Sequence, residues 1–306
     1  MNIFYRHEEA REVLKRNLSQ VKVEEVEDGD VVYMGDIVKD TGNMKVLRHT
    51  ENNLRSPRLV VEKENGGFKE VCVRLPGILC RKVLPPIRRD ISNSQPHAVR
   101  ALKQSVKLTA LGLEDYEDIQ HVMDVVHQLF EQELGPGTVQ PVLSKPYEGH
   151  LAFDIGTRYF TDRDDAPCQE HVPFSRDEDP LFILELMRKG RFIRSEDNIV
   201  QYCAKVAMEG SRPSYSPFKP ENFEEGDIVE AHISFACWPI SKDSYQLTLI
   251  MRALASVDTR LRTEATVKAK KVKQQSSRGG GSRKRVIKND ENFVVKRHRI
   301  VYDMDE

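Results

Sequence analysis

Hydrophobic and polar residues recur with two different periods along the chain, and the period changes near residue 88. At the start, apolar positions three and four residues apart predict an amphipathic helix over 6–16. Alternating positions then predict strands at 21–27 and 30–33. The stretches RLVVEKE and FKEVCVRL flank Asn65-Gly66-Gly67 and predict a β-hairpin, because asparagine and glycine accept the positive φ of a tight turn.

Beyond residue 88 the apolar positions return to helical spacing. Two helices are predicted over 96–108 and 114–134, and the second should end at Gly135-Pro136-Gly137. A third, short helix is predicted with Asp179 as its N-cap and Pro180 at its first position. It should end before Gly190 and bury Phe182, Ile183 and Leu186.

The most regular alternation covers 228–257 and predicts a long antiparallel strand pair joined across 239–244. Together these elements predict an α+β fold with an antiparallel, β-rich body, about four helices and a flexible basic C-terminal tail. A partly closed, barrel-like sheet is one form that such a body can take. The expected parts are a β-rich 1–88, a helical 89–136, an α+β 137–258 and a basic tail at 259–306.

Charge separates the tail from the body. Residues 259–306 contain 14 lysines and arginines against 6 aspartates and glutamates, a net charge of +8, which leaves −9 on the preceding residues of a chain whose total is −1. The segment KAKKVKQQSSRGGGSRKR is too polar and too rich in glycine and serine to form a core, so 264–290 is expected to be flexible. A basic tail on an acidic body indicates a separate role for the tail.

Two basic clusters in the tail match a bipartite nuclear-import pattern. Lys270 and Lys271 are followed by ten residues and then by Ser282 with Arg283, Lys284 and Arg285. Such clusters dock as extended chain on an acidic carrier, so a nuclear import carrier is an expected partner and the nucleus the expected location. The alternative is a solvated tail without an address, in a cytoplasmic protein.

Candidate contacts to nucleic acid come from basic residues and the one tryptophan. They are Arg188, Lys189, Arg191, Arg194, Trp238, Arg278, Arg283, Lys284 and Arg285. Flexible cations suit loose contact with phosphates, and an aromatic ring at a strand end can stack on a base. The first four residues also fit compensation of a helix dipole, and Trp238 also fits a core or rim aromatic.

The sequence holds no phosphate loop, dinucleotide-binding fingerprint, nucleophile elbow or HExxH zinc motif. Its densest polar group is Asp162, Asp164, Asp165 and His171 in YFTDRDDAPCQEHVPF, which could hold a divalent cation in a metal-dependent hydrolase. The spacing departs from a calcium loop, because Ala166 and Pro167 stand where a ligand and the turning glycine belong. The alternative is a turn in which aspartates bond nearby backbone amides.

Cysteine usage and hydropathy limit the cellular compartments in which the protein is expected. The five cysteines are odd in number and form no C-x-x-C pair, so neither a disulfide framework nor a zinc ribbon is expected. No apolar run approaches the roughly 20 residues that span a bilayer, and the N-terminus lacks a signal-peptide core. A soluble protein in a reducing compartment, without a cofactor or membrane contact, is the expectation.

Four phrases of the sequence carry a resemblance: RDDAPCQEHVPF, RSEDNIVQY, FEEGDIVEAHISFACWPI and LIMRALASVD. In their order and spacing, over about 159–258, the chain resembles an uncharacterised group of predicted fungal proteins. The resemblance implies no activity and no catalytic residues. It does not extend to the stretches before and after that range.

The leading hypothesis is therefore a nuclear, non-enzymatic protein associated with nucleic acid, in single-strand binding or in a mobile element. The first alternative is a protein–protein interaction scaffold with a nuclear-import tail. The second is a metal-dependent hydrolase or nuclease that uses the acidic loop.

Overall fold

The computed structural model describes residues 1–23, 31–48, 56–63, 66–88, 95–206 and 213–278. Within these ranges the chain forms five α-helices and fourteen strands, so the predicted α+β class is confirmed. None of these helices combines the length and hydropathy that crossing a lipid bilayer requires.

The helices are numbered in chain order. They are α1 (His7–Val23), α2 (Pro96–Ala101), α3 (Asp115–Leu134), α4 (Ile183–Met187) and α5 (Arg260–Arg278). Four 3₁₀ segments lie between them, at Met34–Asn43, Arg163–Asp165, Glu196–Asn198 and Pro220–Asn222.

The strands are also numbered in chain order. They are β1 (Val31–Tyr33), β2 (Met44–Leu47), β3 (Arg58–Glu62), β4 (Phe68–Glu70), β5 (Cys72–Val83), β6 (Lys103–Thr109), β7 (Val139–Gln140), β8 (Ala152–Arg158), β9 (Thr161–Asp162), β10 (Phe192–Ile193), β11 (Gln201–Val206), β12 (Ser214–Pro217), β13 (Ile228–Ser241) and β14 (Ser244–Asp258).

Twelve strands form one mixed sheet that is mostly antiparallel, and β9 and β10 form a separate pair. Within the large sheet the pairings run in a circuit, from β5 to β6, β8, β14 and β13 and back to β5. All pairings of the circuit are antiparallel except that of β8 with β14, which meet in parallel at Ile155 and Leu249. Strands β11 and β12 extend the sheet beyond β14, and β3 and β2 extend it beyond β13.

The main core lies on one face of the circuit. Side chains of a strand alternate between the two faces of its sheet. In β6, Val106 and Leu108 enter the core, and in β8, Phe153 and Ile155 do so. Helix α3 covers this core with its predicted apolar face, whose residues are Ile119, Val122, Met123, Val126 and Phe130.

Two strand predictions are confirmed. The hairpin of β3 and β4 pairs Val60 with Glu70 around Gly66, whose φ is +78°. The long pair of β13 and β14 runs from Ile228 opposite Asp258 to the turn between Ser241 and Ser244.

The predicted helix over 96–108 is wrong beyond Ala101, because residues 103–109 form β6. Here lysine, glutamine and leucine favour a helix locally, and tertiary pairing overrides that preference. Strand β6 is hydrogen-bonded to β5 on one side and to β8 on the other, which satisfies its backbone inside the sheet.

Helix α1 is longer than the predicted 6–16 and continues to Val23. Leu18 and Val21 are buried, so the apolar face continues past the predicted end and the proposed strand at 21–27 is helical as far as Val23. The rest of that proposed strand, with the turn that follows it, lies outside the described residues.

A second, smaller cluster of buried side chains forms between β8 and β11, and we call residues 159–198 the satellite. Its helix α4 is shorter than predicted and begins at Ile183. The predicted N-cap at Asp179 and first position at Pro180 are wrong, because Phe182 occupies the N-cap position. Asp179 still contacts the first turn, since its Oδ2 accepts the N–H of Glu185 at 3.0 Å. The predicted burial of Phe182 and Leu186 is wrong, because 63% and 67% of these side chains are exposed.

The flexible segment predicted at 264–290 is instead helical as far as Arg278, and residues 279–306 lie outside the described part of the chain. Helix α5 is fixed to the body by several contacts, including a buried alanine and a buried ion pair. Ala265 is buried, and the Nε of Arg262 lies 2.9 Å from Oδ1 of the fully buried Asp227. Burial raises the pKa of Asp227 and Arg262 opposes that rise, so the carboxylate depends on its partner.

The first prediction compares two arginines of α5. Arg262→Gln removes the partner of a buried carboxylate and should lower the free energy of unfolding by about 3 kcal/mol, with a melting temperature several degrees lower. Arg260→Gln removes an equal charge from an exposed arginine that pairs with Asp258 and should leave the melting temperature near that of the parent. Thermal unfolding of the two variants measures the difference. Equal melting temperatures would show that α5 does not depend on Asp227.

Candidate nucleic-acid interface

A groove of about 550 Å³ lies on the outer face of the circuit, opposite the main core. Most of its lining comes from β6, β8, β13 and β14 and from the segment that leads into β8, and further residues come from β5, the end of α2, β9 and Glu196–Asn198. In β14, Leu247 and Leu249 are buried in the core and border the groove, while Gln246, Thr248 and Ile250 alternate with them and also line it. The alternation that builds the core therefore also supplies the groove.

Strand β8 contributes Asp154, Gly156 and Arg158 to the groove. A Cβ on Gly156 would lie 2.8 Å from the Cβ of Ser105 and 2.9 Å from the carbonyl oxygen of Gln104. Glycine is therefore required where β8 approaches β6, and the groove has no side chain at this position of its lining.

The one tryptophan of the chain lies in the groove beside an arginine. The guanidinium carbon of Arg158 lies 4.4 Å from the centroid of the Trp238 ring, a cation–π contact. Trp238 follows Cys237, which is buried in the main core, so alternation along β13 directs the ring to the outer face. The structure thus places Trp238 in the groove and outside the core.

Arg158 has no carboxylate within ion-pair distance among the described residues. Burial lowers its pKa, the positive charge of Arg100 lowers it further, and the negative charge of Asp165 opposes both effects. An arginine stays protonated under these conditions, so the protein holds a partly buried positive charge that forms no ion pair among the described residues. A site of this kind attracts an anion.

Other cations surround the groove. Arg81, Lys103 and Lys145 line it, are exposed, and form no ion pair within the part of the chain that the structure describes. Lys107 differs from these unpaired cations, because its Nζ binds Oδ2 of Asp154 at 2.9 Å and the carbonyl oxygen of Lys145 at 2.9 Å. Its charge is neutralised locally.

Asp197, the second carboxylate of the lining, is engaged elsewhere. Together with Glu70 it forms ion pairs to Arg58 and Arg252, so two acids and two arginines balance each other. The groove therefore carries a positive charge in a chain whose first 258 residues have a net charge of −9.

A neighbouring cavity of about 310 Å³ continues the groove toward β5. The two cavities share Arg81, Lys103, Lys107 and Asp154, and the second reaches Val83. The combined surface runs from Trp238 across β8 and β6 to β5, so it can accommodate an extended chain.

The predicted basic cluster lies in the satellite, outside the lining of the groove. Arg188 pairs with Glu185 at 2.8 Å, and Arg191 contacts Asp162 at 3.3 Å. Arg194 is buried, binds Glu178 and the carbonyl oxygen of Pro173, and lies over the ring of Phe174. Lys189 is exposed.

The basic residues predicted in the tail are only partly described. Lys270 and Lys271 lie exposed on α5, and Arg278 is its last residue. Arg283, Lys284 and Arg285 lie outside the described residues.

The acidic loop does not bring its predicted metal ligands together. Asp162 binds Arg100 and Arg191, and its Oδ1 accepts the N–H of Asp164, as in the turn that the sequence also allowed. His171 instead binds Glu185 at 3.1 Å. No group of three or more histidine, cysteine, aspartate or glutamate side chains is placed to hold a metal ion in the described ranges.

Sequence reasoning found Trp238 and missed most of the other residues of the groove. Lys103 and Lys107 belong to a segment that the sequence predicted as a helix. Polar residues at every second position, Lys103, Ser105 and Lys107, are the signal that indicates one face of a strand instead. Arg81, Lys145 and Arg158 carry no local signal that sets them apart from other surface cations.

No family model and no curated protein matches the chain. The solved structures that resemble it weakly include two single-stranded DNA-binding proteins. One is gp2.5, a single-stranded DNA-binding protein encoded by bacteriophage T7, with 9% identity over 62% of this chain and 87% of that chain and a TM-score of 0.32. The other is a C-terminally truncated single-stranded DNA-binding protein from bacteriophage Enc34, with 12% identity over 71% of this chain and 95% of that chain and a TM-score of 0.24. Similarity this low carries no argument about function.

Proposed function

We propose that this protein binds single-stranded nucleic acid in the groove and does so without catalysis. The observation that carries the proposal is the contact of Trp238 with Arg158, which forms no ion pair among the described residues, in a positively charged groove. Aromatic rings stack on bases, and cations along a groove follow the phosphate backbone. A protein that binds single strands combines these two elements.

Single strands fit the groove better than a duplex. A base can stack on Trp238 only when its face is exposed, and in a duplex the neighbouring base pairs cover that face. The cations on the groove lie along an extended surface, as a single backbone requires.

We further infer that the circuit is a small closed barrel of the OB type. The five strands of the circuit are counted here in chain order, from β5 as the first through β6, β8 and β13 to β14 as the fifth. Neighbours around the circuit are the first, second, third, fifth and fourth strands, and the fourth pairs with the first. The third and fifth strands run parallel. In OB folds the face of the second and third strands binds oligonucleotides. Here those strands are β6 and β8, which supply Lys103, Lys107 and Arg158 to the groove.

A nuclear location remains part of the proposal and rests on the tail. Lys270 and Lys271 are exposed, but they lie on α5, and import carriers bind extended chain. Docking of this first cluster therefore requires the last turns of α5 to unwind. The tail would act independently of the groove.

The second prediction concerns the charge of the groove. Lys103→Gln with Lys145→Gln should remove about two phosphate contacts, lower the affinity for oligo(dT) roughly tenfold near 0.1 M salt, and reduce the slope of log K against log salt by about 1.4. The matched control, Lys15→Gln with Lys63→Gln, removes the same charge from exposed positions that do not line the groove. Fluorescence anisotropy at several salt concentrations measures both. Equal losses of affinity in the two variants would show that the overall charge of the protein attracts oligo(dT), and would contradict binding in the groove.

The third prediction uses the fluorescence of Trp238, which is the only tryptophan in the chain. Oligo(dT) should quench it because a base stacks on the ring, and a duplex of equal length should not. Trp238→Ala should weaken binding by about 1–3 kcal/mol, whereas Trp238→Phe should retain most of the affinity because it keeps a stacking face. Unchanged affinity in Trp238→Ala would contradict the stacking role.

The fourth prediction concerns the tail. Alanine at Lys270, Lys271, Arg283, Lys284 and Arg285 should move a large fluorescent fusion from the nucleus to the cytoplasm, because import needs both clusters. Oligo(dT) affinity of the purified variant, measured by anisotropy, reports separately on the groove. A variant that stays as nuclear as the parent would exclude the import pattern.

A further inference from the structure

A second cationic site lies next to the groove, where two arginines share one buried carboxylate. Arg100 at the end of α2 places Nη2 2.5 Å from Oδ2 of Asp162, and Arg191 beside β10 places Nε 3.3 Å from the same oxygen. Only 2% of the Asp162 side chain is exposed, but 46% and 54% of the two arginine side chains are. The carboxylate thus holds the two guanidinium groups side by side at the surface.

The arginines retain free donors. A guanidinium group has five N–H donors, and the structure gives Arg100 one side-chain hydrogen bond and Arg191 one. Asp162 is one carboxylate between two guanidinium groups, and its other oxygen accepts the N–H of Asp164. The negative charges of Asp164 and Asp165 also act on Arg100. Several outward donors remain on the two guanidinium groups.

This pair adjoins the groove through the chain itself. Ala101 and Thr161 both line the groove, and they are the immediate neighbours of Arg100 and Asp162. The charge of Arg100 also acts on Arg158 inside the groove. Arg158, Arg100 and Arg191 therefore form a row of cations that leads from Trp238 onto the satellite.

A purely structural role explains one arginine better than two. A single ion pair between Arg100 and Asp162 would attach the satellite to α2, whereas Arg191 adds repulsion toward Arg100. That repulsion is relieved when an anion with several acceptor oxygens binds between them, and arginine forks match phosphate oxygens in geometry.

We propose that Arg100 and Arg191 form a phosphate-binding site that extends the groove onto the satellite. The ligand is a phosphodiester of a nucleic-acid strand whose preceding nucleotides occupy the groove, so this inference rests on the proposed function. Asp162 is a positioning residue that orients both guanidinium groups. The site lengthens the bound segment and leaves the binding of short oligonucleotides to the groove alone.

The fifth prediction is a dependence on oligonucleotide length. Arg100→Gln with Arg191→Gln should leave the affinity for the shortest oligo(dT) that binds the parent unchanged. For long oligo(dT), of about 20 nucleotides, the affinity should fall at least fivefold and the salt slope by about 1.4, because about two phosphate contacts are lost. The matched control is Arg176→Gln with Lys189→Gln, which removes two exposed charges from the same satellite and should leave both affinities near those of the parent.

Anisotropy titrations with a length series distinguish the possible results. If the double glutamine variant loses affinity for oligo(dT) of every length, or of none, the extended site is wrong. Loss of binding in Trp238→Ala at all lengths tests the groove separately, so failure of the extension and failure of the proposed function are distinguishable.

A conservative pair covers the case in which the glutamine variant does not fold. Arg100→Lys with Arg191→Lys keeps the charges on Asp162 and should retain the salt slope of the parent, while its affinity for the long oligonucleotide should lie between those of the parent and the glutamine pair because lysine lacks the arginine fork. If the lysine pair loses affinity for long and short oligonucleotides alike, the arginines serve the packing of the satellite and the proposed site is wrong.

Discussion

The rest of the structure depends on the double pairing of β13. Its residues 228–233 are hydrogen-bonded to β14 on one side and to β5 on the other, and this joins the two ends of the strand circuit. Once every strand of the circuit has neighbours on both sides, the backbone is satisfied and the side chains alternate between two environments. One set forms the core beneath α3, and the other forms the groove.

The groove owes its charge to what surrounds it as much as to its own residues. Both carboxylates of its lining are paired, Asp197 with Arg58 and Arg252 and Asp154 with Lys107. Arg158 forms no ion pair among the described residues and contacts Trp238. A local positive surface can thus exist on an acidic body, because potential near a surface depends on the nearest unpaired charges.

The elements outside the circuit are attached by buried polar contacts. Arg262 joins α5 to Asp227, and Arg100 and Arg191 join α2 and the satellite through Asp162. Buried carboxylates require partners, so each of these contacts fixes where a peripheral element lies. The satellite supplies residues next to the groove in this way, although its own apolar cluster is separate from the main core.

Local sequence patterns are enough to predict the α+β class, helix α3, the β3–β4 hairpin and the long β13–β14 pair. In each case the apolar period and the turn residues lie within one short stretch, so local chemistry suffices. Tertiary structure alone decided that 103–109 is a strand and that 260–278 is a helix, because β6 depends on pairing with β5 and β8 and α5 contacts the distant Asp227. It also decided the groove, since Arg81, Lys103, Lys145, Arg158 and Trp238 come from five separate segments. Their common face results from long-range strand pairing, and no local pattern encodes which distant strands will pair.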